Sequence, residues 1–318
     1  MSPSPGGAAI APLPVAPPAP AAHRPSVGEP SPDPRRLSAF LTLTKPEITF
    51  NVVLTALVGY LAAAHGAVAL LALLRALLGT ALVAAAASTL NQWVERDRDA
   101  MMKRTLRRPL PARRLTPRES LVFGIAMGVV GTVYLAAAVG VLAAALAALT
   151  AASYLLLYTP LKRVTSLATV VGAVPGAIPP MIGWAAARGR LDAGAWALFL
   201  ILFFWQMPHF LALAALYRKD YARAGFRVLP VEDPRDDGAS TGRQSVLYAL
   251  ALLVVSLLPT PLGMAGPLYF FGALVLGAGF VAYGVRLALD PGSHARASGL
   301  FRYSLLYLPV LCTLMALA

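Results

Sequence analysis

Asn91, Glu95 and Asp99 stand four residues apart in the stretch NQWVERDRD. On a helix this spacing keeps three side chains within about 80° of one another over about 12 Å. They would form one polar stripe, whereas Asp97 falls nearly opposite and reads as a solvated or ion-paired neighbour. Aligned oxygen donors on a rigid helix suit a hard cation. Mg²⁺ takes carboxylates, waters and phosphate oxygens. The stripe is followed by AMMKRTLRRPLPARRLTP, in which Lys103, Arg104, Arg107 and Arg108 could grip a diphosphate, the arginines in two-pronged contacts. The plainer alternative is a solvated helix end laced by i,i+4 ion pairs. The asparagine, the spacing and the basic run favour metal and diphosphate.

Two further clusters carry polar chemistry. In YTPLKR, Tyr158 and Lys162 close a long apolar run. Tyrosine is a common anchor at a membrane interface, and Lys162 alone could be an orientation charge. In WQMPHFLALAALYRKDYARAG, Gln206 and His209 lie within an apolar run, and Arg218, Lys219 and Asp220 follow its end. An ionisable group at membrane depth is a functional candidate. A histidine satisfied by a neighbouring helix is the alternative for His209.

These residues need elements to hold them. The chain has 318 residues, of which 58% are hydrophobic and 13% charged, with a mean hydropathy of +0.68. A soluble domain is about 45–50% apolar and about 25% charged. The excess is gathered into about nine runs, near 47–65, 68–93, 119–138, 140–158, 167–187, 193–217, 245–263, 267–287 and 299–317. A membrane helix needs roughly 20 such residues. The runs are Ala/Leu-rich and lack alternation, which excludes strands. The expected fold is therefore all-α: a polytopic membrane bundle of about nine transmembrane helices around a cavity.

A net charge of +13 would suggest nucleic acid in a soluble protein. Here the basic residues sort by side. Under nine spans, 23 of the 27 lysines and arginines share the side of the N-terminus. Only Arg188 and Arg190 take the other, with Arg75 and Arg302 inside spans. Such asymmetry orients a membrane protein with its N-terminus in the cytoplasm and excludes nucleic acid as the partner. The single cysteine, Cys312, rules out an intrachain disulfide framework and reads as a packing residue.

Residues 1–37 read as a Pro/Ala-rich disordered tail, and 38–318 as the membrane domain. The run 167–187 holds three prolines and three glycines, so it must kink or break. It could line a cavity, or its small residues could serve close helix packing. Similar features at an offset of about 120 residues, such as AAAHG at 62–66 and AAARG at 185–189, hint at a parallel repeat.

Four segments together carry a resemblance: TLTKPEIT (42–49), NQWVERDRDAMMKRTLRRPLPARRLTP (91–117), YTPLKR through IPPMIGWAA (158–186), and FWQMPHFLALAALYRKDYARAGFRVLPV (204–231). The chain resembles the UbiA superfamily of intramembrane prenyltransferases, and within it the heme-modifying branch. The likeness runs from about residue 38 to the C-terminus. It implies transfer of a farnesyl group from farnesyl diphosphate to a vinyl group of protoheme IX (heme b), giving heme O. Heme b is then a substrate, and Mg²⁺ is bound with the diphosphate. The implied setting is the cytoplasmic (inner) membrane, and a downstream heme-modifying enzyme is an implied partner.

By the same resemblance Asn91, Glu95 and Asp99 form the first acidic motif, and Asp220 stands at the second, with Arg218 and Lys219 beside it. The second motif is thin, because position 224 is alanine. Tyr158 and Lys162 match the tyrosine–lysine motif near the reacting carbon and the diphosphate. Lys45 joins the substrate-binding cations, and His209 is implied as a heme contact. Another aromatic acceptor, such as a quinone or chlorophyll precursor, is the alternative substrate class. A transporter would instead concentrate polar groups at the bilayer midplane. Here they gather at one face.

Overall fold

Proline and glycine punctuate the apolar runs, and the helices follow that punctuation. The computed structural model describes residues 36–64, 66, 68–233 and 238–317. The tail expected over 1–37 lies almost wholly outside them, as does His65.

The described residues form α1 (Arg36–Leu43), α2 (Pro46–Ala64), α3 (Leu70–Asp99), α4 (Pro117–Ala138) and α5 (Val141–Leu161). Then follow α6 (Ala168–Arg188), α7 (Ala193–Leu216), short α8 (Arg218–Arg223) and α9 (Leu229–Glu232), and α10 (Ala239–Ser256), α11 (Pro267–Leu289) and α12 (His294–Leu317). Among these residues there is no strand. Eight of the helices among the described residues are long and apolar enough to cross a membrane. The seventh run, expected over 245–263, is not among them and is shifted: α10 begins at Ala239 and ends at Ser256. Pro259 and Pro261 cannot continue a helix. Its first turns carry Ser240, Thr241, Arg243 and Gln244, which dilutes its hydropathy.

Two apolar packs hold the bundle. Leu135, Ala143, Ile178 and Ile182 join α4, α5 and α6 with Val83 of α3. Ile201, Leu252, Phe280, Leu300 and Tyr307 join α7, α10, α11 and α12. Helix α2 lies against α6 with almost no space between backbones. A Cβ on Gly183 would strike the Ala56 carbonyl, and one on Gly59 would strike that of Pro180. Both readings of the Gly/Pro-rich run thus find a place. Its glycines serve close packing, while Pro179 and Pro180 each border a small apolar pocket.

Helix α3 has 30 residues, or about 45 Å at 1.5 Å per residue. A bilayer core is only about 30 Å thick. Its last turns, from about Asn91 to Asp99, therefore reach the polar face. That face gathers the 100–116 loop, the α5–α6 turn and the α7–α10 connection.

Candidate active site

The three residues of the α3 stripe are buried, and Asp97 points away as expected. Asn91, Glu95 and Asp99 are 2%, 5% and 1% exposed, whereas the Asp97 side chain is 87% exposed and faces Arg96 at 3.9 Å. Gln92, also buried, donates from Nε2 to the Leu43 carbonyl at 2.7 Å. That bond pins the α1–α2 turn, in which Lys45 takes a left-handed backbone with φ of 46°. The Lys45 ammonium is thereby held at the mouth of the site. Desolvation, reinforced by the Arg108 charge, lowers its pKa to about 7.

Each carboxylate has a cation. Arg108 donates from one nitrogen to both Asp99 oxygens, at 2.8 and 2.7 Å. The loop that carries it folds back on α3: Thr105 Oγ1 donates to the Asp99 carbonyl at 2.6 Å, and Leu110 and Leu115 pack under Ala39 and Leu43. The loop closes on a capping box, in which Thr116 and Glu119 satisfy each other's backbone at the start of α4. Arg36 also pairs with Glu119.

Lys162 reaches Glu95 Oε1 at 2.6 Å, and its Nζ lies 4.5 Å from the centre of the Tyr158 ring. It is aimed by an irregularity in α5. Residues Ser153–Tyr158 form a π-helical turn. Pro160 lacks an N–H, and its ring would strike the carbonyl four residues back in an α-helix, so the wider turn relieves it. The Tyr158 ring then fits over Gly172 of α6, where a Cβ would come within 2.5 Å of it. The Lys162 carbonyl accepts from the Arg227 N–H at 2.7 Å, and Phe226 covers Lys162 from above.

The second acidic region is paired within its own helix. Asp220 pairs with Arg223 at 3.3 Å and, with Arg218 and Lys219, borders a cleft of about 600 Å³ against Pro291–His294. Among the described residues, no three His, Cys, Asp or Glu side chains converge as a metal site. Arg104 bridges toward this region, lying 5.3 and 5.1 Å from the Tyr217 and Tyr221 ring centres. Lys103 and Arg107 are exposed. His209 stacks between Trp205 and Phe301, with Nδ1 2.8 Å from Ser304 Oγ. It joins α7 to α12. Gln206, the other polar group at depth, donates to the Ala173 carbonyl at 2.8 Å in the kinked α6.

Sequence reasoning passed over Gln92, Thr159 and Phe226. The first two adjoin residues already singled out, Asn91 and Tyr158, and a search for buried polar neighbours could have found them. Phe226 carries no such signal.

A model of the UbiA prenyltransferase family matches residues 52–306. A protoheme IX farnesyltransferase of Solibacter usitatus is 48% identical over 287 residues, covering 87% of this chain and 97% of the relative. The chain belongs to the UbiA prenyltransferase family, among the protoheme IX farnesyltransferases. The family and enzyme class expected from the four sequence segments are borne out, and this prenyltransferase is a multi-pass membrane protein. A digeranylgeranylglyceryl phosphate synthase structure aligns with a TM-score of 0.75 at 16% identity, over 89% of this chain and 98% of that one. A UbiA homologue from Archaeoglobus fulgidus, bound to GPP and Mg²⁺, aligns at 0.58 and 17% identity, over 87% and 99%. Both share the fold of this prenyltransferase.

Proposed function

We propose that this prenyltransferase moves the farnesyl group of farnesyl diphosphate to a vinyl group of protoheme IX, giving heme O. The observation that carries the reading is the pair of buried carboxylates, Glu95 and Asp99, each answered by a cation from another segment. The near full-length likeness to a protoheme IX farnesyltransferase supports the choice of substrates.

The donor set suits a hard cation: two buried carboxylates on one helix face beside an amide. Asn91, Glu95 and Asp99 would hold Mg²⁺, which when bound supplies positive charge for the departing diphosphate. Asp220 would join from the second region. Lys45, Arg108 and Lys162 add cationic charge that the leaving group meets at the mouth. Lys103, Arg104, Arg107, Arg218 and Lys219 extend that field over the polar face. Fixed charges in a water-poor site stabilise a developing anion far better than water does.

The bond from the farnesyl C1 to the diphosphate oxygen breaks, leaving an allylic cation or nearly so. The Tyr158 ring offers that charge an electron-rich face. A heme vinyl carbon attacks C1, and water adds to the adjacent vinyl carbon with loss of a proton. The apolar bundle keeps water from the cation until then. His209 would meet the heme through Nε2, since Trp205, Phe301 and Ser304 take its faces and Nδ1. The enzyme sits in the cytoplasmic membrane with its N-terminus in the cytoplasm, on the side of Asp99. It passes heme O to a downstream heme-modifying enzyme.

The test is turnover in detergent with heme b, farnesyl diphosphate and Mg²⁺. Mass spectrometry should find heme carrying a farnesyl group and a hydroxyl added across one vinyl bond. Turnover of a phenolic acceptor with no heme product would overturn the substrate assignment.

A further inference from the structure

Thr159 is fully buried and lies within hydrogen-bond reach of two acceptors: Asn91 Oδ1 at 3.0 Å and the Tyr154 carbonyl at 2.8 Å. Its one proton can serve only one of them. The choice is fixed by charge. Asn91 Nδ2 lies 3.0 Å from Glu95 Oε2. Flipping the amide would turn its oxygen onto a carboxylate, so the NH₂ must face Glu95. The Asn91 oxygen therefore faces Thr159, and Thr159 must donate to it. The Tyr154 carbonyl loses nothing, because the backbone N–H of Thr159 already donates to it across the π-helical turn.

We infer that Thr159 is a positioning residue for Glu95, acting through Asn91. The chain of bonds runs Thr159 to Asn91 to Glu95, and Lys162, three residues beyond Thr159, holds the other Glu95 oxygen. One end of α5 thus fixes both oxygens of a carboxylate on α3. The π-helical turn earns a purpose here: it relieves Pro160 and leaves the Thr159 hydroxyl free for Asn91. The Asn91 oxygen takes the Thr159 proton on one lone pair and keeps the other for a cation, while its NH₂ orients Glu95. This inference rests on the reading of Glu95 as part of the metal and diphosphate site.

The test compares Thr159→Val, which keeps the shape and removes the hydroxyl, with Thr159→Ser, which restores it. Supporting groups around metal ligands typically cost 10–100-fold when removed. We expect Thr159→Val to lower kcat about 10–100-fold with little change in KM for heme. Mn²⁺ titration by electron paramagnetic resonance, on protein loaded with the unreactive thiolo analogue of farnesyl diphosphate, should show a similar loss of affinity. Thr159→Ser should recover most of both. In an Asn91→Ala background, Thr159→Val should add nothing further. Unchanged Mn²⁺ affinity and kcat in Thr159→Val would overturn the inference. So would a Thr159→Ser variant as impaired as the valine, or additive losses in the double variant. If wild-type protein binds Mn²⁺ with the analogue but leaves heme unmodified, the substrate reading fails while the positioning role is still read from the titration.

Discussion

The two acidic regions of this prenyltransferase differ in how their charge is held. On α3, Glu95 and Asp99 are buried; Asp99 is paired with Arg108 of the adjoining loop and Glu95 with Lys162 from beyond α5. On α8, Asp220 pairs with Arg223 only three residues away and borders an open cleft. A buried carboxylate is costly unless paired, and removing one partner strands the other. A partly exposed pair is worth little, because water screens it. The α3 region is thus preorganised, whereas α8 is held loosely and its charge is available to a ligand that draws it in.

That contrast can be broken by substitution. Asp99→Asn and Glu95→Gln should cost the most, about a thousandfold in kcat, as loss of a central electrostatic group does. Insertion, followed by yield and a cooperative melt in detergent, should persist. Near-normal turnover in either variant would remove the α3 region from the chemistry. Next comes Gly172→Ala, which displaces the Tyr158 ring. A small misplacement of such a group can cost about a hundredfold, and kcat should fall while diphosphate binding, measured by calorimetry, holds. Asp220→Asn should lose about tenfold, in the range of supporting groups, chiefly as a higher Mg²⁺ requirement. A loss as deep as that of Asp99→Asn would show that both regions act as one site.

The smallest effect concerns pH. With a pKa near 7, Lys45 is charged below about pH 6 and neutral above about pH 8. KM for farnesyl diphosphate should therefore rise a few-fold across that interval. In Lys45→Met the rise should vanish, with KM already high at pH 6. A slope that survives the substitution would assign it to another group.

Much of the α3 region was legible in the sequence, because a four-residue spacing fixes which side chains share a face. Asp97 pointing away followed from the same count. The pairing of Glu95 with Lys162 did not, since 67 positions separate them and only the packing of α5 on α3 brings them together. Thr159 was passed over because a threonine beside a proline reads as an ordinary helix feature until its partner is known. The shifted α10 had a visible signal in Pro259 and Pro261, but hydropathy outweighed it. Asp220 marks a different limit: sequence supplied its type and its place just after α7, but not that it would pair with Arg223 at the edge of a cleft.

The tether from Gln92 to the Leu43 carbonyl and the reach of Lys162 to Glu95 also set an order of assembly. Residues made first are anchored by residues made later. At about 5–20 residues per second, several seconds separate synthesis of Glu95 from that of Lys162. Through that interval the nascent chain carries a carboxylate whose ion-pair partner does not yet exist. A chain stalled after α4 holds Glu95 without the Lys162 ammonium that buries with it in the finished bundle.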